Sequence, residues 1–184
     1  MTSKPVLEVI TGCMCSGKSE ELIRRLHLAT IAKLPVKVFK SSRDTRSGDI
    51  WSRSGVTFRA IAIDKPAEVF SQISDGDIVI AFDEIQFMDA ELFGVVRDLL
   101  HSGKRVIVSG LNLDFRGEPF DVTARLMALA TKVTVLHAVC AKCNSFDACR
   151  SQRLISDGDR IVIGDREYEP RCIECFEPPK NVII

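Results

Sequence analysis

The sequence has no surplus of charge of either sign. Its 25 lysines and arginines are matched by 25 aspartates and glutamates over 184 residues, which argues against a protein that coats nucleic acid or an anionic membrane. No apolar run approaches the ~18–20 residues of a membrane span, so no membrane partner is expected. Met1-Thr2-Ser3-Lys4-Pro5 leads into an apolar run and a glycine loop, without the h-region of a secretory signal. A cytoplasmic location is the expectation. Internal repeats and low-complexity tracts are also missing. The 46% hydrophobic content instead supports a proper core, and one domain of this size, with at most a small appendage, buries roughly 70% of the unfolded surface. The seven cysteines are an odd number, so a purely disulfide framework would leave one over. In a reducing compartment they read better as core residues or metal ligands.

The charge that is present is unevenly placed. Residues 1–60 carry 11 basic and 5 acidic side chains, and residues 61–184 carry 14 and 20. An anionic ligand is therefore to be sought in the first stretch. Short β-branched runs at Val6–Ile10, Val36–Phe39, Phe58–Ile63, Asp77–Phe82, Lys104–Ser109 and Val133–Leu136 predict buried strands. Between them, Lys18–Lys33, Pro66–Ile73, Asp89–His101 and Asp121–Ala130 predict helices. Continuous rather than alternating apolar strands point to an α/β fold, a parallel sheet covered on both faces. Composition shifts near Ala138, where cysteine pairs, turn residues and short strands at Arg153–Ile155 and Arg160–Ile163 begin. We expect a nucleotide-binding α/β domain over 1–138 and a small metal-binding unit over 139–184.

Gly12-Cys13-Met14-Cys15-Ser16-Gly17-Lys18-Ser19 satisfies G-x-x-x-x-G-K-[ST] between a predicted strand and a predicted helix. The glycines allow a tight turn whose N–H groups point at phosphate oxygens. Lys18 would reach the β- and γ-phosphates and the Ser19 hydroxyl would ligate Mg²⁺. Asp83 closes the apolar run Ile78–Phe82, the place of an acid that holds the Mg²⁺ shell directly or through water. Glu84 follows it, and a second carboxylate there can take a proton from a nucleophile. Whether that nucleophile is water, as in an ATPase, or a substrate hydroxyl, as in a kinase, the acid alone does not say.

Cys140-x-x-Cys143 and Cys172-x-x-Cys175 are separated by 28 residues. Four thiolates in two such knuckles suit a closed, structural tetrahedral Zn²⁺ site better than redox chemistry. Cys13, Cys15 and Cys149 follow no such pattern. Residues 140–184 contain seven basic and eight acidic side chains, with no basic stripe for nucleic acid. A metal staple for a loop too small to have its own core is the preferred reading.

Taken together these motifs resemble the zinc-containing (type II) thymidine kinases over nearly the whole chain. The residues carrying the resemblance are the loop through Glu20-Glu21-Leu22-Ile23-Arg24-Arg25, Asp44-Thr45-Arg46, Asp83-Glu84-Ile85-Gln86-Phe87, Asp114-Phe115-Arg116-Gly117-Glu118-Pro119-Phe120, the cysteine pairs and Tyr168-Glu169-Pro170-Arg171-Cys172. The resemblance implies a parallel-sheet domain and a zinc-tethered lasso that closes over a nucleoside. It implies transfer of a phosphoryl group from Mg·ATP to the 5′-hydroxyl of thymidine or deoxyuridine, a salvage route to DNA precursors. By the same resemblance Glu84 is the general base, and Asp44, Thr45 and Arg46 help bind phosphates. Asp83 through Gln86 flank the phosphate site. Met14, Phe87, Leu111, Phe115 and Phe120 surround the base, with Ser151, the lasso stretch containing Ile161, Val162, Ile163 and Gly164, and the lasso residue Tyr168. Relatives are commonly dimers or tetramers, so a homo-oligomer is expected. Without the resemblance, Phe87, Phe115 and Phe120 read equally well as core aromatics, and Tyr168 as packing for the metal unit.

Overall fold

Apolar runs flanked by turn residues become strands, buried on both faces at the centre of the sheet and partly exposed at its edges. In the computed structural model, which describes residues 5–44, 48–52, 55–155, 162, 164 and 166–179, these are β1 (Val6–Gly12), β2 (Val36–Ser41), β5 (Ile61–Ile63), β6 (Val79–Asp83), β7 (Arg105–Leu111) and β8 (Lys132–Leu136). They form one parallel sheet in the order β5-β2-β6-β7-β1-β8. The pleat divides the core in two. Leu7, Val9, Phe39, Ile80, Phe82, Val106 and Val108 pack with Leu92, Val95, Val96 and Leu99 of α3 (Leu92–His101) and Leu126 of α4 (Asp121–Leu129). Ile10, Val38, Val79, Ala81 and Ile107 face the other way, onto Leu22, Ile23 and Leu26 of α1 (Lys18–Ile31). Burying both faces is what selects near-continuous apolar strands.

One charged residue lies inside this second core. Glu8 of β1 points to the α1 side and accepts hydrogen bonds from Arg25 at 2.7 Å and from Arg105. Arg25 also reaches Glu21 at 2.8 Å and the Thr134 hydroxyl at 2.8 Å. Two guanidinium donors thus satisfy a buried carboxylate that would be costly alone, and with the Glu21 and Thr134 contacts of Arg25 they fix α1 against β1, β7 and β8.

Two expectations are corrected. The helix expected over Pro66–Ile73 is a 3₁₀ turn at Pro66–Glu68 followed by the single turn of α2 (Val69–Gln72). Asp77 accepts from the Ser74 N–H at 2.8 Å and Ser74 hydroxyl at 2.9 Å, drawing the chain into a turn there. The strand expected over Phe58–Ile63 is broken at Arg59-Ala60. Thr57–Phe58 (β4) pairs antiparallel with Ile50–Trp51 (β3), and β5 pairs with β2. The Ala60 N–H donates to Asp49 at 3.2 Å, so the break belongs to a small hairpin beside the sheet.

After β8 the chain forms a second small sheet. Strand β9 (Arg150–Arg153) pairs antiparallel with β10 (Tyr168–Arg171), with Ser151 opposite Pro170 and Arg153 opposite Tyr168. The strand expected at Arg153–Ile155 therefore lies earlier. Its register follows from the bonds between Ala138 and Ala148, both 3.0 Å, and from Cys149 N–H to Arg171 O at 3.0 Å. The expected strand Arg160–Ile163 falls, apart from Val162, outside the described residues. Among the described residues no helix is long and apolar enough to cross a membrane.

Candidate active site

In a parallel sheet the carboxyl ends of all strands open on the same side, where loops leave for the covering helices. Here those ends deliver Asp83 from β6 and Leu111 from β7 to one cavity of about 360 Å³, and Gly12 at the end of β1 starts the loop that lines it. At one end is the loop joining β1 to α1. Gly12 has φ 147°, and a Cβ there would stand 2.2 Å from the Leu136 carbonyl oxygen, so only glycine fits. Gly17 turns the chain into α1 at φ 81°, and Cys15 adopts φ 63°. Met14, Cys15, Ser16, Gly17, Lys18 and Ser19 line the cavity; Gly12 and Cys13 belong to the loop but not to its wall. The Ser16 Oγ is buried with no hydrogen-bond partner among the described residues. An orphaned hydroxyl on a glycine turn that leads into a helix N-terminus is suited to an anion.

Lys18 is buried and donates to the Cys13 carbonyl at 2.7 Å. Burial depresses its pKa, while Glu84, Cys13 and Asp83 pull the other way. Asp83 is pushed up to about 7, chiefly by burial and then by the neighbouring Glu84 charge, against hydrogen bonding and Lys18. The Ser19 hydroxyl stands 3.5 Å from Asp83 Oδ2. A hydroxyl and a carboxylate beside a phosphate-binding loop are hard oxygen donors of the kind Mg²⁺ accepts, so these residues fit that ion.

Glu84 leaves the strand by a left-handed residue, φ 51° and ψ 45°. For a non-glycine this costs on the order of 1–3 kcal/mol, and it takes Glu84 out of the strand geometry that ends at Asp83. Gln86 donates to the Glu84 carboxylate and in turn accepts from the Leu111 N–H at 3.0 Å. Gly110 makes room, since a Cβ there would meet Ile85 Cγ1 at 2.5 Å and Gln86 Oε1 at 2.8 Å. Glu84, Asp83 and Gln86 all line the cavity.

The far end is apolar. Phe87, Leu111, Phe115, Phe120, Ser151, Val162, Gly164 and Tyr168 line it with Met14. Phe115 is presented by a loop that braces itself around Asp114, whose carboxylate accepts from the Arg116 N–H at 2.9 Å and the Glu118 N–H at 3.1 Å and pairs with the Arg116 guanidinium at 3.0 Å. The Ser151 hydroxyl accepts from the Met14 N–H at 3.0 Å. Asp44 lines the cavity as well, paired with buried Lys40 at 3.2 Å. Thr45, Arg46, Ile161 and Ile163 lie outside the described residues.

Several lining residues had no signal in the sequence. Lys40 closes an apolar strand and resembles a snorkelling end residue. Ile50 and Trp51 form a strand too short for periodicity to reveal, and Ser52 follows it. Leu113 and Asp114 could be read only as loop.

Beyond the apolar end, the Sγ atoms of Cys140, Cys143, Cys172 and Cys175 all lie within 4.8 Å of one another. Cys143 and Cys172 are 3.7 Å apart. Tetrahedral thiolates bound at about 2.3 Å stand about 3.8 Å apart, so the four could hold one metal ion. Cys13 packs against this cluster with Ala138, Cys140, Ala148 and Cys172. Its thiol donates to the Ala148 carbonyl at 3.2 Å, and burial pushes its pKa up to about 11. It is a neutral packing group.

A family model described as thymidine kinase matches residues 5–176. A curated relative, the thymidine kinase of Coprothermobacter proteolyticus, is 47% identical over 186 aligned residues, which span 96% of this chain and 93% of the relative. Among solved structures, the chain resembles the genome packaging NTPase B204 from Sulfolobus turreted icosahedral virus 2 in complex with ATP-gammaS, with a TM-score of 0.47 and 14% identity over 74% of this chain and 76% of that one.

Proposed function

The chain belongs to the thymidine kinase family, and from that premise we propose that it transfers the γ-phosphoryl group of Mg·ATP to the 5′-hydroxyl of thymidine or deoxyuridine. The observation that carries this reading is a single cavity lined both by the glycine loop with the paired acids Asp83 and Glu84 and by the aromatic side chains of Phe87, Phe115, Phe120 and Tyr168. A water-activating ATPase has no use for that wall. A pyrimidine does, because its faces stack on aromatic rings while a loop backbone reads its edge.

In this reading the loop amides, Ser16 and Lys18 hold the polyphosphate, helped by Asp44, Thr45 and Arg46. Ser19 and Asp83 would hold Mg²⁺, which when bound offsets charge on the phosphate oxygens. Glu84 accepts the 5′-hydroxyl proton as that oxygen bonds to the γ-phosphorus. The bond from phosphorus to the bridging oxygen breaks and ADP leaves. Gln86 keeps the Glu84 carboxylate aimed, so that positioning rather than covalent chemistry accelerates the transfer. Phe87, Leu111, Phe115, Phe120, Tyr168 and the 161–164 backbone enclose the base. Cys140, Cys143, Cys172 and Cys175 would hold a structural Zn²⁺ that joins the two ends of the segment they bracket, within a unit of residues 139–184 that follows the sheet domain of residues 1–138. Cysteines used as metal ligands rather than in disulfides fit a reducing, cytoplasmic location. Exposed Leu28 and Ile31 on α1, and Val133 and Val135 on the edge strand β8, support self-association.

The deciding experiment is a panel of deoxynucleosides with Mg·ATP, following ADP and nucleoside monophosphate together. Thymidine and deoxyuridine are expected to give one monophosphate per ADP, and purine deoxynucleosides none. ADP release stimulated by DNA and indifferent to thymidine would overturn the kinase reading.

A further inference from the structure

Two rings of the aromatic wall share a neighbour that is not in the wall. Arg153 of β9 is 8% exposed, and its guanidinium carbon lies 3.7 Å from the Phe115 ring centroid and 5.3 Å from that of Tyr168. Its Nη2 donates to the Tyr168 hydroxyl at 2.7 Å. The same phenol oxygen accepts from the Val162 N–H at 3.3 Å. One planar cation therefore touches the 112–120 loop through Phe115 and, through Tyr168, the backbone of the segment that follows β9. Two residues earlier on the same face of β9, Ser151 holds the Met14 amide of the phosphate loop. Alternate positions of one short strand thus fix the phosphate loop and the aromatic wall relative to each other.

We propose that Arg153 is a positioning residue of the nucleoside site, holding Phe115 and Tyr168 in place for the base and so setting affinity for the nucleoside rather than for ATP. The inference rests on the kinase reading above. Only a planar, permanently charged group can stack on one ring while donating to the hydroxyl of another. Arg116 does not share the role. It stands 5.7 Å from the Phe115 centroid, and its guanidinium is engaged by Asp114. Removing Arg153 frees Phe115 to rotate and leaves the Tyr168 hydroxyl with the lasso amide alone, loosening the wall while the phosphate loop keeps its Ser151 contact.

The test compares full-length, zinc-loaded parent enzyme with Arg153→Met, Arg153→Lys, Tyr168→Phe and the double variant Arg153→Met/Tyr168→Phe. The thymidine KM of Arg153→Met is expected to rise about tenfold or more, with the ATP KM within twofold and kcat at saturating thymidine lowered less than threefold. Arg153→Lys, which keeps the charge and the hydroxyl partner but loses the stack, is expected to recover part of the loss. The double variant is expected to be worse than Arg153→Met by less than the effect of Tyr168→Phe on its own, because the hydroxyl serves the guanidinium as well as the Val162 amide. An unchanged thymidine KM, a parallel rise in ATP KM with a fall in melting temperature, or additive effects in the double variant would each overturn the proposal. Parent enzyme that phosphorylates thymidine confines such a failure to Arg153. Parent enzyme that phosphorylates no pyrimidine deoxynucleoside removes the kinase reading and this inference with it.

Discussion

Glu84, the proposed base, illustrates how a candidate catalytic position is made from a strand end. Its left-handed backbone separates it from Asp83 without any intervening residue, so one acid can face a cation while the other faces a hydroxyl. The Gln86 side chain and the Leu111 amide then fix the carboxylate. Glu84→Gln keeps the size and a hydrogen-bonding end but cannot accept a proton. We expect it to fold and bind ATP as the parent does while turnover of thymidine falls by about 10²–10⁴, the usual reach of a positioned base. Steady-state kcat together with ATP calorimetry measures this, and turnover within threefold of the parent would remove Glu84 from the role. The acid pair was plain in the sequence because two carboxylates after five apolar residues have few other uses. The reversal at Glu84 was not, since a glutamate carries no preference for that backbone, and neither was Arg153, whose partners lie in two distant segments.

At the scale of elements, legibility follows length and burial. Strands β1, β6 and β7 each satisfy a run of apolar residues and were readable to within two residues of their ends. The β3–β4 hairpin and α2 were not, because two-residue strands and a single helical turn carry no period and are fixed by Asp49 and Asp77 side chains instead. The seating of α1 depends on polar contacts that periodicity does not see. Glu21 has its pKa lowered to about 2, first by hydrogen bonds from Arg24, with burial opposing and Arg25 assisting. A carboxyl depressed from 4.5 stabilises the fold fully above about pH 4.5 and loses that contribution as pH falls toward 2. Because Arg24 is 60% exposed, water screens much of the effect and it should stay near or below about 1 kcal/mol. Glu21→Gln is therefore expected to melt a few degrees lower than the parent at pH 7, with the gap closing between pH 4 and pH 2.5. A gap that stays constant over that range would show that packing, not the charge, is what Glu21 supplies.

For the whole molecule, neutrality is the sum of two opposed parts: a basic first stretch with the glycine loop and an acidic remainder with Asp83, Glu84 and the four clustered cysteines. The remainder is not a detachable lid. Cys13 of the glycine loop is buried beside Cys140 and Cys172, and Ser151 of β9 holds the Met14 amide. A metal at the four cysteines should therefore shape the donor site as well as the nucleoside site. Purified protein is expected to contain about one zinc per chain by elemental analysis. Stripping it with a strong chelator should weaken ATP binding by roughly tenfold in addition to abolishing thymidine turnover, and zinc should restore both. If the metal organised only the segment over the base, ATP would bind the stripped protein as tightly as the intact one while thymidine binding was lost. Calorimetry with ATP alone separates the two cases, because no nucleoside is needed to read the state of the loop. Retained ATP affinity would mean that the Cys13 and Ser151 contacts only lean on the loop, whereas its loss would mean that one small metal-bound sheet holds both ends of the active site.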